Sequence, residues 1–247
     1  MLTAVAVLAL LLILLGQLVG TMSRTWTAGQ RRVNNFGKAR AMLDLFDLDV
    51  QAGIFRPDLG AFPPGTAVAF YTKRPGIPAS GAPRNVCLVE YQFDASASSA
   101  QAMATLQRAD LAVTWTSAAA LSLGTSGTLP QAAQAVPRST APGVIGFKVL
   151  FIQADGTFSA TYAPASAANP SRSVGMTLAV VDDVALSQLS AAQVTKLRQT
   201  LDGAVSGTRS ALADWQGCLR TGVAWSAYPK SLADGLKIFE RYEPFPN

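Results

Sequence analysis

The chain has 247 residues, and with 49% hydrophobic and 8% aromatic side chains it can fill a core, which rules out wholesale disorder. It contains no histidine and only 2 cysteines, which removes Ser-His and Cys-His nucleophile pairs, imidazole metal ligands, zinc clusters and iron–sulfur sites. The 20 basic residues against 15 acidic ones give +5 in a chain that is only 14% charged, a weak pointer to an anionic partner, and no nucleic-acid-binding signature accompanies it.

The first 23 residues carry no charged side chain. Met1 to Val19 is an apolar run broken only by Thr3, Gly16 and Gln17. At 1.5 Å per residue it spans about 28 Å, close to the thickness of a bilayer core. A secretory signal peptide would usually have an apolar region of about 7–15 residues between a basic leader and a small-x-small cleavage site. Here no basic residue precedes the run, and the candidate cleavage sites after Gly20 or Ser23 are poor, so a membrane anchor is the better reading. The charge asymmetry conflicts with it. Arg24, Arg31, Arg32, Lys38 and Arg40 all follow the run and precede the first acidic residue, Asp44. Taken alone, that distribution would hold the rest of the chain in the cytoplasm.

From Thr21 to Gly53 there is no proline, and Val33, Phe36, Leu43, Phe46, Val50 and Ile54 recur at spacings of three, four or seven. That period predicts one continuous helix of roughly 50 residues, about 75–80 Å long, ending at Gly53 to Pro57. Beyond Pro57 the pattern turns to period two. Strands are expected over Val68–Lys73, Asn85–Asp94, Leu106–Trp115, Gly146–Gln153, Thr157–Tyr162 and Val174–Asp182, with a tight hairpin at Asp155-Gly156. Pro63-Pro64, Pro75–Pro83, Ala95–Ala104, Ser117–Pro142 and Ala163–Pro170 read as loops. Ser190 opens a helix with a capping box and Gly203 ends it; a second helix follows over Ser206–Leu219, and the tail Tyr242–Pro246 reads as extended and loose. The expected fold class is α+β: a long N-terminal helix, membrane-spanning then amphipathic, packed on an antiparallel β-sheet head with C-terminal helices. The expected divisions are 1–22 for the apolar helix, 23–55 for its amphipathic continuation, 56–184 for the β-rich head, and 185–247 for the C-terminal helical segment and tail.

An apolar N-terminal helix running straight into an amphipathic one resembles the type IV pilin-like proteins, including the pseudopilins of type II secretion. The stretch from Gln30 through Arg31, Arg32, Val33, Asn34, Asn35, Phe36 and Gly37 to Leu59 narrows this. It is similar to the minor pseudopilin J group, and most of all to protein C of the Verru_Chthon cassette. Softer echoes lie at Leu106–Trp115, Gly146–Gly156 and Asn169–Asp183. The family signature, a basic leader followed by Gly-Phe-[Ser/Thr]-Leu-x-Glu, is not in this sequence. Its opening, Met-Leu-Thr-Ala, resembles the stretch just after the family's glutamate. The expectation is therefore that Met1 is an internal methionine and that the leader, the peptidase site and the glutamate lie upstream, which would also remove the charge conflict.

The resemblance implies a non-enzymatic subunit, single-pass in the inner membrane with a periplasmic head, N-methylated after leader cleavage, that packs by its helix into a short filament or secretion-type pseudopilus. The implied partners are other pilin-like subunits, the prepilin peptidase, the inner-membrane assembly platform and the lipid bilayer, with no nucleic acid and no cofactor. A head of this size suits a minor subunit. The alternative is a membrane-tethered periplasmic module binding a polysaccharide or cell-wall ligand.

Several residues stand out as candidates. Gly16 and Gly20 form a small-xxx-small motif that lets helices approach closely or merely loosens the helix near the membrane surface. Val33, Phe36, Leu43, Phe46 and Val50 are the candidate assembly face. Cys87 and Cys218 are either a disulfide or two small buried hydrophobes. Asp44 with Asp47, and Asp182 with Asp183, are paired carboxylates outside any ligand-spaced loop, read as a solvated face or an intersubunit ion pair. Gly124-Thr-Ser-Gly127 lacks the nucleophile-elbow spacing, and Ser126 has no histidine to act as its base. Met103 and Trp115 read as core or loop edge. No catalytic, cofactor or metal residue is expected.

Overall fold

The computed structural model describes residues 2–55, 68–75, 86–94, 96–112 and 136–246, with side chains from Leu12 onward except positions 24, 27, 28, 31, 32, 111–112 and 136–139. Helix α1 covers Leu2–Gln51. It stops where Gly53 donates to the carbonyl of Val50 at 2.9 Å and the chain turns toward the first sheet. A Cβ on Gly53 would meet the Phe55 ring at 2.2 Å, so a side chain there would push the ring away.

Two antiparallel four-stranded sheets follow, in the orders β1-β2-β3-β4 and β6-β5-β7-β8. The strands of the first are β1 (Val68–Thr72), β2 (Cys87–Phe93), β3 (Thr105–Ala112) and β4 (Val136–Pro142). Those of the second are β5 (Val144–Gln153), β6 (Phe158–Ser159), β7 (Ser171–Val180) and β8 (Lys237–Pro244). The expected single sheet is thus two. The chain passes between them at Gly143, whose φ of 86° and whose missing Cβ, which would lie 2.6 Å from the Val181 carbonyl, suit glycine alone. The expected hairpin at Asp155-Gly156 is present, pairing Phe151 with Ser159 and Ile152 with Phe158.

Two strands correct the sequence reading. The stretch expected to be loop, Ser117–Pro142, ends in β4, and the first part of the tail expected to be extended and loose, Tyr242–Pro244, completes β8, which is paired along its whole length with β7. Both lie at sheet edges. Pro137 and Pro142 sit in β4 because an edge strand has a row of backbone groups that need no ladder partner. Across the β7–β8 pair, Tyr242 faces Gly175, and its ring fills the space a side chain would take: a Cβ on Gly175 would lie 2.3 Å from it.

The helices are short α2 (Ala100–Met103), α3 (Asp183–Ser187), α4 (Ala191–Ala204), α5 (Ala211–Thr221) and α6 (Lys230–Gly235). The capping box at the start of α4 forms as expected, between Ser190 and Gln193. One core lies between α1 and the sheets, with Phe46, Val50, Phe70, Val89, Tyr91, Phe147, Met176 and Leu178 among its members. A second lies on the other side of the second sheet, where Ile145, Ala179 and Val181 meet Leu186, Val194, Leu197, Leu201, Trp215 and Leu232. The second sheet is therefore the middle layer between α1 and the C-terminal helices. Each large side chain fully buried there contributes about 1.5–3 kcal/mol.

Arg198 joins the two sheets. Its guanidinium donates to the carbonyls of Ile145 at 3.0 Å and of Met103, and lies 3.7 Å above the ring of Phe93.

Candidate functional site

Helix α1 divides at Asn35. From that residue on, Asn35, Ala39, Met42, Leu43, Phe46, Asp49 and Val50 are buried. Six polar side chains of this half are met from the head. Asn35 donates to the Gly235 carbonyl at 3.1 Å, Lys38 pairs with Asp183 at 2.7 Å, and Gln51 donates to Glu243 at 2.7 Å. Asp44 and Asp47 both receive Arg241 of β8 at 2.5 Å. The hydrogen bond from Arg241 holds Asp44 below the usual carboxylate range, whereas burial raises Asp47 against the pull of the same guanidinium. These two aspartates, expected on a solvated face or at an intersubunit contact, are joined within the chain.

The densest contact is at Asp49, which is fully buried. Arg108 of β3 reaches it with two bonds, Nε to Oδ2 at 2.6 Å and Nη2 to Oδ1 at 3.0 Å. Tyr91 donates to Oδ2 at 2.6 Å and Arg74 to Oδ1 at 2.7 Å. Arg108 also bonds Asp110 at 3.0 Å. Burial and the neighbouring carboxylate push the Tyr91 hydroxyl far above its ordinary range. With both Asp49 oxygens taken by four hydrogen bonds from three residues, the group holds α1 against the first sheet.

Upstream of Asn35 the described side chains of the same helix are exposed, and so is Phe36 just beyond it. Leu12, Ile13, Leu14, Leu15, Leu18 and Val19 are exposed, as are Met22, Trp26 at 77%, Val33 at 65% and Phe36 at 54%. Phe36 only touches Phe239 edge-on, at 6.1 Å between centroids. Met22, Trp26, Gly29 and Val33 follow one another at helical spacing and line a shallow apolar depression with Thr21, Thr25 and Gln30. The threonines take nothing polar from outside: Thr21 donates to the Gln17 carbonyl at 2.9 Å and Thr25 to that of Thr21 at 3.0 Å. Gly16, Gly20 and Gly29 have nothing within 4 Å of where a Cβ would stand.

The candidate assembly face is therefore split. Leu43, Phe46 and Val50 are covered by the chain's own head, which corrects their assignment as an intersubunit surface, while Val33 and Phe36 stay exposed. Periodicity reports that a face is buried but not what buries it. Met22 and Trp26, which belong with Val33, were not among the residues the sequence singled out, although the Met22–Trp26–Gly29–Val33 spacing carries the signal.

The cysteines are both free, correcting the disulfide reading: Cys87 is buried in the first core, 3.1 Å from the Thr72 hydroxyl, and Cys218 lies in α5 near the Thr200 carbonyl. Asp182 caps α3 by accepting from the amides of Val184 and Ala185, and its neighbour Asp183 takes Lys38. Met103 packs against the second core. Gly124–Gly127 and Trp115 fall outside the described residues. No cluster of three or more metal-ligating side chains occurs among the described residues. No helix is long and apolar enough to cross a membrane among them, and positions 1–11 of the expected anchor fall outside the described side chains.

No family model and no curated protein matches the chain. Among solved structures it is similar to a type IV-like pilin from Thermus thermophilus, at 12% identity and a TM-score of 0.41, covering 84% of this chain and 94% of that one. The chain displays an α+β head carried on the second half of a helix whose described side chains from Leu12 to Asn34 are exposed.

Proposed function

We propose that this chain is a pilin-like subunit without catalytic activity. The apolar first part of α1 anchors it in the inner membrane, the head lies in the periplasm, and subunits pack through the exposed part of α1 into a short filament or secretion-type pseudopilus, of which this is a minor component of the J-like kind. The observation that carries the reading is the division of α1. One half is bonded to the head at five separate points, and the other presents Leu12 to Val19 and then Met22, Trp26 and Val33 with no cover from the described residues. An apolar helix surface of this length is stable only in lipid or against other helices. A prepilin peptidase and an assembly platform are the further partners the reading requires.

The test is cross-linking in membranes. Trp26→Cys and Val33→Cys variants of the full chain should give disulfide-linked dimers and larger adducts on mild oxidation, while a cysteine at exposed Gln199 of α4 should not. A membrane-bound chain with no adduct at either helix position would instead be a tethered ligand-binding module. Mass spectrometry of the N-terminal peptide from native membranes adds an independent check. An N-methylated start upstream of Met1, with glutamate within a few residues, is the expected result.

A further inference from the structure

The charge of the chain is localised. Five of its 20 basic residues, Arg24, Arg31, Arg32, Lys38 and Arg40, lie between positions 24 and 40, where no acidic residue occurs; the other 15 are balanced by all 15 acidic residues, which begin at Asp44. A local charge of +5 thus sits on 17 consecutive positions of α1, directly beyond the apolar stretch, and the sequence from residue 41 onward sums to zero. Two of the five are committed to the protein, Lys38 to Asp183 at 2.7 Å and Arg40 to Asp44 at 3.5 Å. The other three basic residues stand at positions 24, 31 and 32.

Their placement on the helix is informative. Successive residues advance about 100° around the axis. Positions 24, 31 and 32 therefore lie on the side of α1 that, one and two turns later, carries the buried head contacts Asn35, Ala39 and Met42. The exposed apolar positions Met22, Trp26 and Val33 occupy the opposite side. So the basic positions lie on the side over which the head projects, and the apolar stripe is left free for a neighbouring helix. Trp26 stands about 10 Å along the axis beyond Val19, at the depth of the headgroups if the apolar run ends at the hydrocarbon boundary, which is where exposed tryptophan is favoured. Position 24 lies at the same depth. Positions 31 and 32 lie about 18–20 Å along, roughly 10–15 Å beyond the headgroup surface and on the order of one screening length from it at low salt.

We propose that positions 24, 31 and 32 form a headgroup-binding collar selective for anionic phospholipid, set between the anchor and the head. The proposal rests on the membrane anchoring put forward above and adds to it a lipid preference. Each basic residue held near an anionic surface strengthens binding about fivefold at moderate ionic strength, so three together give on the order of 100-fold.

The test is partition of the full chain from detergent into vesicles of pure phosphatidylcholine and into vesicles with about 30% phosphatidylglycerol. The unaltered chain should prefer the anionic vesicles by tens to about 100-fold, and half-molar salt should remove most of that preference. Arg24→Gln/Arg31→Gln/Arg32→Gln should enter neutral vesicles as before and lose the preference, with the melting temperature of the head unchanged as the check on folding. Equal partition of the unaltered chain into both vesicles would overturn the collar and keep the anchor. A preference undiminished in the triple variant would also overturn it. Failure to enter either vesicle would overturn the anchor itself, and the collar with it.

Discussion

Residues 12–34 and 35–51 belong to one helix and are similarly rich in apolar side chains, yet the first stretch is exposed and the second is buried in the head. The difference lies in the polar residues. In the buried half Asn35, Lys38, Asp44, Asp47, Asp49 and Gln51 each find a partner from a strand, loop or helix of the head. In the exposed half Thr21 and Thr25 bond back onto their own helix. Apolar faces can slide along one another at small cost, whereas a buried ion pair tolerates one register only. The head is thus fixed on α1 at a defined height by its polar contacts, and the apolar contacts supply most of the favourable energy.

Removing the deepest of those contacts should break the comparison most severely. Asp49→Ala leaves Arg108 buried without its carboxylate, and a loss of about 3–5 kcal/mol is expected in urea unfolding of the full chain. A loss below about 1 kcal/mol would mean that the apolar core alone positions the head. Paired truncations on the two halves come next. Phe46→Ala should cost about 3 kcal/mol, because the ring is enclosed by Phe70 and Tyr91, whereas Trp26→Ala should change the unfolding free energy by less than about 0.5 kcal/mol. Comparable losses at the two positions would show that the exposed half also packs on its own head.

The smallest effect is expected at the seam with β8. Asp44, depressed by Arg241, contributes stability above its ordinary value of 3.8 that is lost as pH falls through its lower folded value. Asp47, raised by burial, acts in the opposite sense and costs stability as pH rises through its folded value. Arg241→Gln removes the first contribution and leaves the second unopposed. The variant should be slightly less stable than the parent at neutral pH, with the gap closing below about pH 3.8 and shrinking in high salt. Thermal melts at several pH values and salt concentrations would show it, and a gap that persists in acid would assign the effect to packing.

Local signals in the sequence located most elements. The period of Val33 to Val50, the alternation of Cys87, Val89, Tyr91 and Phe93, the turn at Asp155-Gly156 and the capping box at Ser190 all act within a few residues, and each marks an element the structure contains. Of the four edge strands, β1 and β6 were legible from period and turn, whereas β4 and β8 escaped: β4 carries two prolines, and β8 lacks a clean alternation and is at intermediate burial up to Glu243. The partners of Asp49 escaped for another reason. Arg108 is 59 positions away, and nothing near either residue states that they meet. The fate of the assembly stripe was hidden likewise, since Phe46 and Val33 obey one period and are parted only by where the head sits.

The pairing of α1 with β8 also has a consequence in time. Asn35 bonds Gly235 across 200 positions and Asp44 bonds Arg241 across 197. At about 5–20 residues per second, a ribosome adds the second partner roughly 10–40 s after the first. Throughout that interval the buried side of α1 has been made and its last cover has not. Under the anchoring proposed above, this order of synthesis would let the apolar start of the helix reach lipid before the head closes. A nascent chain truncated before β8 should therefore expose Met42 and Phe46 to a protease or chaperone that the full-length chain excludes.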